Sequence, residues 1–465
     1  MALAMSKQQA YEAVRALLDT HAGERKHFDR IHQYLVPWTA EIAVSKIGVN
    51  VESKNRDRFA ELARMSHTPF INLVIDTYGQ SLKVDGFYNS EAENLQAWTW
   101  WQRNRMQARQ TGLHRDALTY GTSYASALPA AGGGVRINTH SPRRMVTFYG
   151  EPMGLPGLDA SADEYPILAM EIGCKHLRLF DESHVYYFGI NRKPNSPLLW
   201  TDQTYMGAGN LPFLEIREHG VGVTPIVRYK DRWMSDGEEQ RGIVEPLLGL
   251  QDRIDMTNFE QGQTQFAAAF KQRYVIGWKP ESRDEAIRQS VAETQFYRDS
   301  DVKTGQYDES DLTRYIESRQ ATVRDLAAVA QVPAQSLGAN AISNISADGL
   351  AALETSKDRK AAEIQTSLGE SHEQLLRLSA FIAGDYEAAE DFESEVSWEE
   401  TSARTFAQTV DALGKLATML DIPAEELWAD IPGWTKERVE RAKKTRKANG
   451  VSAGLYFDED PTAEA

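Results

Sequence analysis

The chain has 465 residues, of which 42% are hydrophobic and 25% charged. This composition argues against a disordered chain, and the length exceeds the roughly 250–300 residues at which one hydrophobic core stops growing, so we expect two or more structural regions. The formal net charge of −16 argues against a protein whose whole surface holds nucleic acid, because such binding depends on Lys and Arg at the phosphates.

The acidic charge leaves two interpretations open. In the first, nucleic acid is irrelevant and the charge only keeps the protein soluble. In the second, DNA passes the protein and must not adhere to it. Charge alone does not decide between them.

The sequence contains no run of about 18 apolar residues, so we expect no membrane span. Its first residues lack the basic-then-apolar order of a secretory signal. Cys174 is the only cysteine, which excludes an intrachain disulfide and a cysteine-based zinc site within one subunit. These features fit folding in the cytosol.

The N-terminal region is predicted to be helical over residues 7–36, where Tyr11, Val14, Leu17 and Leu18 recur at three- and four-residue spacing.

A second helix is predicted over residues 91–121, with Gly121 as its C-cap. Its first half carries Trp98, Trp100 and Trp101. We interpret these rings as packing residues and not as a platform on which bases stack.

Residues 123–229 change to a pattern of short strands separated by Gly, Pro, Asp and Asn. The predicted strands are SYASALPA, GVRINTH, RMVTFYGE, PILAMEIG, HLRLF, HVYYFGI and FLEIREH. Consecutive strands with short connections indicate antiparallel sheets, so the fold class is predicted to be α+β.

The chain then returns to helix. Ile243, Leu247, Leu250 and Ile254 form one apolar stripe of a long helix that runs to about Phe270. Polar residues are predicted to occupy much of its other surface, facing solvent or a channel: Gln251, Asp252, Asp255 and Asn258.

A strand-like piece, QRYVIGW, and a polar stretch to about Ser310 follow. The next helix is predicted to end at Pro333, and its apolar positions are Leu312, Ile316, Val323 and Leu326. Residues 335–349 are small, polar and poor in charge, which predicts a mobile loop. Another long helix is predicted from Leu350 to Ala383, with apolar positions at Leu353, Ile364, Leu368, Leu375 and Phe381.

An acidic segment, DYEAAEDFESEVSWEE, precedes a final helical region predicted from Ser402 to about Ala448. This region ends in TKERVERAKKTRKANG, where seven basic residues against two acidic ones give a net charge of +5. No internal repeat of solenoid period is found.

The sequence contains no complete catalytic or nucleotide-binding motif. There is no P-loop, and Gly121–Ala125 resembles a nucleophile elbow without its closing glycine. His372 and Glu373 begin a zincin-like string that lacks its second His, so we interpret them as a surface pair on a helix. His114 and Asp116 have no nucleophile beside them in sequence and are interpreted as structural. We therefore predict a protein that is not an enzyme and uses no cofactor or metal; a metal-dependent nuclease has only the abundance of Asp and Glu in its favour.

Several segments, in order from about Asn72 to Ala448, resemble the portal proteins of long-tailed, double-stranded-DNA bacteriophages. They are INLVIDTYGQSLKVDGF, WTWWQRNRMQARQTGLHRDALTYGTSY, TPIVRYKDRW with GIVEPLLGLQDRIDMTNFE, and FKQRYVIGW. The resemblance implies the phage portal fold: a mixed α/β wing (1–240 and 350–401), two long stem helices (241–270 and 310–332), a clip (271–309), a tunnel loop (333–349), and a small helical crown with the C-terminal tail (402–465). The crown is shorter than the family's can be, which leaves its role in packaging DNA open.

The resemblance also implies roles for residues. Those of the tunnel loop, expected at the DNA channel, are Gln335, Asn340, Ser343, Asn344 and Ser346. Those of the clip, expected to dock terminase or adaptor, are Trp278, Lys279, Arg283 and Arg288. Basic crown residues that either contact DNA or form a solvated helix end are Lys436, Arg441, Lys443 and Lys444.

The implied assembly is a ring of identical subunits, commonly about twelve, held by head-to-tail contacts that close. Its implied partners are the terminase large subunit, the head–tail adaptor, the major capsid protein with its scaffold, and weakly held double-stranded DNA. The ring is expected in the virion at the portal vertex, after assembly in the host cytoplasm and without any membrane. The alternative is a minor capsid or head–tail adaptor protein that never encloses DNA.

Overall fold

The structure is a computed structural model. It describes residues 4–47, 56–88, 95–150, 164–191, 211–234, 242–269, 273–277, 302–306, 311–339, 347–399, 406–420, 422–431, 439 and 441–447. The chain divides into two compact units, one of Met1–Asn344 with Arg359–Trp398 and one of Ile345–Asp358 with Glu399–Ala465. The helices in the described ranges include none with both the length and the apolar run that would cross a membrane.

Helices and strands largely occupy separate stretches of the described chain, with eight consecutive strands between two helical regions, which confirms the predicted α+β class. The helices are α1 (Lys7–His32), α2 (Ala40–Ile47), α3 (Arg56–Ser66), α4 (Phe70–Gln80), α5 (Leu95–Arg103), α6 (Met106–Tyr120), α7 (Leu248–Ala269), α8 (Thr313–Ala330), α9 (Ala347–Ala383), α10 (Tyr386–Ala389) and α11 (Phe406–Met419). The strands are β1 (Val84–Tyr88), β2 (Thr122–Pro129), β3 (Val135–His140), β4 (Met145–Phe148), β5 (Leu168–Ile172), β6 (His176–Phe180), β7 (His184–Gly189), β8 (Phe213–Glu218), β9 (Ile226–Lys230), β10 (Arg273–Ile276), β11 (Lys303–Gln306) and β12 (Glu395–Trp398).

Helix α1 begins at a capping box, in which Ser6 and Gln9 bond each other's backbone amides. It ends at His32, four residues before the predicted end, because the amides of Tyr34 and Leu35 donate to carbonyls only three residues back and tighten the last turn. Its buried face packs against the five-stranded sheet.

The second predicted helix is interrupted, so the prediction of one helix over 91–121 is wrong. Helix α5 ends at Arg103 and α6 begins at Met106, with Arg105 in the left-handed conformation at φ 55°. The cause is Asn104, whose side-chain amide donates to the carbonyl of Val135 and accepts from the amide of Ile137. These bonds to β3 hold the chain out of helical geometry at this point. Trp101 is fully buried, as its packing role requires.

The strands form antiparallel sheets, which confirms the seven predicted strands. Three strands pair in the order β3-β2-β9, and five pair in the order β4-β5-β6-β7-β8. Two further pairings were not predicted: β1 with β12, and β10 with β11. Strand β12 lies in the acidic segment, whose composition disfavours a strand, and its partner β1 is far away in sequence.

Strand β9 is an edge strand whose outer side is covered by α9. The Ser367 hydroxyl donates to the carbonyl of Lys230 at 2.8 Å, and the Ser371 hydroxyl donates to the carbonyl of Arg228 at 3.0 Å. Because edge carbonyls are open to another strand, these two serines one helical turn apart both fix α9 and close the edge.

The largest core lies between helices α4, α6, α8 and α9 and the three-stranded sheet. Its central residues include Val74, Leu113, Tyr229, Leu326 and Leu368. Leu326 and Leu368 belong to the apolar stripes predicted for α8 and α9, and both are fully buried. Ile316 and Phe381 of the same predicted stripes are instead exposed.

The predicted mobile loop over 335–349 is wrong at both ends. Residues Ala334–Leu337 form a 3-10 helix that ends at Gly338, at φ 73°, and Leu337 and Ala339 are buried in the core. At the other end, α9 begins at Ala347 and not at Leu350. Residues 340–346 lie outside the described residues.

Candidate functional site

Helices α7 and α8 pack together, and they lie within the two segments of sequence predicted as stem helices. Helix α7 begins at Leu248, later than predicted, after a 3-10 turn over Glu245–Leu247 that contains Pro246. Strands β10 and β11 pair antiparallel, with Arg273 opposite Gln306 and Ile276 opposite Lys303. The chain therefore leaves α7 and returns toward α8 through one two-stranded ribbon.

The predicted clip residues come between β10 and β11 in the sequence, outside the described residues: Trp278, Lys279, Arg283 and Arg288.

The polar residues of α7 were predicted to face solvent or a channel, and for two of them this is wrong: Gln251 and Asp255 are both 0% exposed. The Asp255 carboxylate accepts from Nδ1 of His67 at 2.8 Å and from the amide of Thr68 at 3.1 Å. It also accepts from the Gln251 side chain at 2.9 Å. Burial raises the pKa of Asp255, and these donors oppose that shift. Three donors thus hold the buried carboxylate, and two of them, His67 and the amide of Thr68, fix α7 to the segment before α4.

Aromatic rings also contact the residues that attach α7 to the rest of the unit. The ring of Trp38 stacks on His67 with 4.4 Å between centroids and 8° between planes. The Tyr34 hydroxyl donates to Asp252 at 2.8 Å, and burial followed by this carboxylate raises the Tyr34 pKa. The ammonium of Lys46 lies 3.6 Å from the Tyr34 ring. Helix α7 is therefore held by polar bonds on one side in addition to its buried apolar stripe.

Of the predicted tunnel-loop residues, the structure describes Gln335. It is half-buried in the 3-10 helix, and its carbonyl accepts from the amide of Gly338 at 3.0 Å. The other four residues of that set lie outside the described residues: Asn340, Ser343, Asn344 and Ser346.

Of the predicted crown residues, Arg441, Lys443 and Lys444 are exposed on helical residues 441–447, and Lys436 lies outside the described residues. Arg446 of the same segment pairs with Glu425 at 2.9 Å. The crown residues belong to the second unit and Gln335 to the first.

A buried chain of hydrogen bonds in the first unit was missed by the sequence analysis. His372 was interpreted as a surface residue, yet it is fully buried, as is His114. Nε2 of His372 lies 2.7 Å from Nε2 of His114, and Nδ1 of His114 lies 3.0 Å from the carbonyl of Leu82. The Tyr229 hydroxyl lies 3.0 Å from Nδ1 of His372.

The hydrogen-bonding groups at each end determine which atom donates in each of these bonds. The carbonyl of Leu82 only accepts, so Nδ1 of His114 donates to it and Nε2 of His114 accepts. His372 therefore donates from Nε2, and its Nδ1 accepts from Tyr229. Burial lowers the pKa of His114 to about 4 and that of His372 well below its usual value. Both rings are neutral and join α6, β9 and α9.

We expect the His372→Gln variant to have a weaker dependence of stability on pH. Folding lowers the pKa of His372, so below its usual value of 6.5 the unfolded state binds more protons than the folded state, and stability falls as pH falls below 6.5. Each such group contributes about 1.4 kcal/mol per pH unit in that window. Urea unfolding at pH 7, 6 and 5 measures the slope for both proteins. Equal slopes would show that His372 does not titrate as its burial requires.

A second hydrogen-bond chain has the order of a catalytic triad. The Ser126 hydroxyl lies 2.8 Å from Nε2 of His140, whose Nδ1 lies 3.1 Å from the Glu171 carboxylate. However, Ser126 is 1% exposed and its strand is paired on both sides, with Asn138 and with Ile226. A substrate cannot reach the hydroxyl, so this chain joins the two sheets.

Within the ranges that the structure describes, no group of three or more His, Cys, Asp or Glu residues is placed to hold a metal ion.

Comparison with known proteins gives three kinds of match. The family model of phage portal proteins of the SPP1 Gp6-like type matches residues 48–450. The portal proteins of Mycobacterium phages L5 and D29 are each 23% identical to the chain, over 456 and 451 residues, covering 91% of this chain and 87% of each relative. Among solved structures, a chain from the neck of the native GTA particle computed with C12 symmetry matches with a TM-score of 0.48 and 12% identity, over 82% of this chain and 94% of that chain. A chain from the virion of the native gene transfer agent particle matches with a TM-score of 0.45 and 12% identity, over 83% and 96%.

Proposed function

Because the chain belongs to the SPP1 Gp6-like family of phage portal proteins, we propose that its copies close into a ring through which double-stranded DNA enters and leaves the capsid. The match over residues 48–450 carries this proposal, since it spans both wing segments, the stem helices and the basic C-terminal region. A portal protein is a structural component of the virion, part of the connector between head and tail. Such a protein acts through its assembly and its binding surfaces.

The described elements support an assignment of the portal regions. Helices α7 and α8 are the stem, and the ribbon of β10 and β11 forms the base of the clip. The wing is built from the two larger sheets with the helices around them and from α9. The tunnel loop is assigned to residues 340–346, a shorter range than predicted, because residues 334–339 are packed as a 3-10 helix and its cap. The crown follows the wing and contains α11.

The acidic charge supports a conduit that does not hold its DNA. Every Lys or Arg that pairs with a phosphate adds a salt-dependent attraction that must be broken before the duplex advances. With a net charge of −16, the chain as a whole repels the duplex. The basic residues Arg441, Lys443 and Lys444 form one cationic segment, and in the crown they contact DNA weakly or remain solvated.

The remaining partners follow from the same assignment. Terminase and the head–tail adaptor dock on the clip, and the capsid protein with its scaffold surrounds the wing in a particle assembled in the host cytoplasm. A separate motor supplies the force for packaging, and the portal guides the duplex.

Imaging of the purified protein tests the proposal. We expect end-on views with a central hole and a particle mass of about twelve subunits. Particles without a hole would favour the alternative of a minor capsid or adaptor protein that never encloses DNA.

Deletion of residues 340–346 is expected to reduce DNA retention in assembled heads. The deletion must spare Gly338 and Ala339, because Ala339 is buried and its amide donates to the carbonyl of Ala334 at 3.1 Å. Heads carrying the deletion are compared with wild-type heads for packaged and retained DNA. Unchanged packaging and retention would contradict the assignment of these residues to the tunnel.

A further inference from the structure

A surface of cations and aromatic rings lies at the end of β9, which we call the basic–aromatic surface. It consists of Tyr149, Arg228, Lys230, Arg232, Trp233 and Lys360. The Arg228 guanidinium lies 3.9 Å from the Tyr149 ring centre, and the Lys230 ammonium lies 4.2 Å from that of Trp233. Trp233 is 53% exposed. Aromatic rings and cationic groups therefore lie next to one another here, and the indole ring of Trp233 faces solvent.

The charge of this surface is positive on a strongly acidic chain. Arg232 lies close enough to Lys360 to lower its pKa, after the larger effect of burial. The nearby carboxyl of Asp231 is buried, and burial raises its pKa to about 7. Four cations therefore stand against two acids, Asp231, whose carboxylate lies 3.6 Å from the Arg232 guanidinium, and Glu363 near Lys360; of the four cations, Lys230 is buried. Arg and Trp are the residues that most often dominate binding at protein interfaces.

A second surface, the acidic–aromatic surface, lies at the C-terminal end of α9. It consists of Phe381, Tyr386, Glu387, Glu390, Phe392 and Glu393, all exposed. Tyr386 is 64% exposed and Phe392 is 72% exposed. The rings of Phe381 and Tyr386 contact edge to face at 5.7 Å, and Arg377, one helical turn before Phe381, covers Phe392. Rings of this size rarely face water on a lone subunit without a binding role.

The two surfaces cannot meet within one subunit. Lys360 and Phe381 are both on α9, and a helix rises 1.5 Å per residue, so they lie about 30 Å apart. One surface is positive and the other negative, and each presents exposed rings. Different, complementary surfaces on one chain are what a head-to-tail contact between identical copies requires, in contrast to the self-complementary patch of a two-fold dimer.

We propose that the acidic–aromatic surface of one copy binds the basic–aromatic surface of the next copy around the ring. This inference rests on the proposed ring and names the surfaces that form its subunit contact. Trp233 is the anchor on one side, and Tyr386 with Phe392 forms the anchor on the other. Arg232 and Lys360 face Glu387 and Glu390 across the contact.

Two variants of the full-length chain test the contact. The first, Arg232→Glu with Trp233→Ala, disrupts the basic–aromatic surface, and the second, Glu387→Lys with Glu390→Lys, disrupts the other. Like charges facing each other are expected to weaken association by about a hundredfold. Each variant alone should therefore stay monomeric at concentrations where the wild type forms rings. An equimolar mixture should associate at concentrations where each variant alone is monomeric, because one intact pair of surfaces remains and the altered surfaces no longer carry like charges.

Matched controls are Arg136→Glu and Glu182→Lys, which reverse exposed charges elsewhere in the same unit; Arg136 is on β3, at the opposite edge of the sheet from β9. Both should form wild-type rings. Where a test variant melts below its control, Arg232→Gln and Glu390→Gln replace it.

The readout is mass by analytical ultracentrifugation. Rings formed by both variants, or mixtures that remain monomeric, would overturn the assignment of the contact and leave the proposed function standing. A wild-type chain that forms no ring would count against the proposed function itself.

Discussion

The Asp255→Ala variant is expected to be less stable than the wild type by about 3–5 kcal/mol, because the change removes one partner of a buried, charged hydrogen-bond cluster. The carboxylate accepts from His67, from the amide of Thr68 and from Gln251. Without it, those three donors remain in a site that water does not reach, and each buried donor without a partner is costly. Urea unfolding followed by tryptophan fluorescence measures the loss.

The control is Asp252→Asn on the same helix. Asp252 is exposed and accepts one bond from the Tyr34 hydroxyl. Asparagine keeps an acceptor oxygen there, so we expect a change within about 1 kcal/mol. Comparable losses in the two variants would mean that Asp255 does not anchor α7.

The Gly242→Ala variant is expected to lose about 2–4 kcal/mol of stability, because a methyl group has no space at this position. An added Cβ would lie 2.6 Å from the carbonyl oxygen of Thr119 and closer still to that of Leu118, both backbone atoms at the end of α6. The neighbouring amide of Ile243 donates to the same Leu118 carbonyl at 2.9 Å. The methyl group must therefore push apart α6 and the segment that leads into α7.

Gly249→Ala is the matched control, seven residues along in α7, where an added Cβ meets no atom within 4 Å. Alanine in a helix is favoured over glycine by about 1 kcal/mol, so this variant should gain stability. Melting temperatures of both variants test the pair. A Gly242→Ala protein as stable as Gly249→Ala would show that α6 and the segment before α7 are not in such close contact.

Helices and strands were predicted correctly from the sequence where residues close to one another in the chain determine them. Apolar spacing located α1, α7, α8 and α9, and the alternation of apolar residues with turn residues located the seven strands from β2 to β8. A wrong prediction arose at Asn104, where a side chain bonded to a strand more than thirty residues away interrupts a helix. No helical periodicity contains that information.

The polar residues of the candidate site were harder to place for the same reason. Gln251 and Asp255 have the hydrophilicity of a solvated helix face, and their partners at 67 and 68 are almost two hundred residues away. His372 likewise stands beside Glu373 in a helix rich in charge, and only the fold brings it to His114. Burial of a polar side chain depends on a distant partner, which composition does not reveal.

The serines that cover β9 have a consequence for a protein made in many copies. A bare strand at the rim of a sheet invites the same strand of another molecule, and such backbone pairing continues without limit into fibres. Ser367 and Ser371 occupy the carbonyls on that rim. Copies must then recognise one another through side chains, which hold neighbouring subunits at a fixed angle. Assembly can therefore stop when the ring is closed.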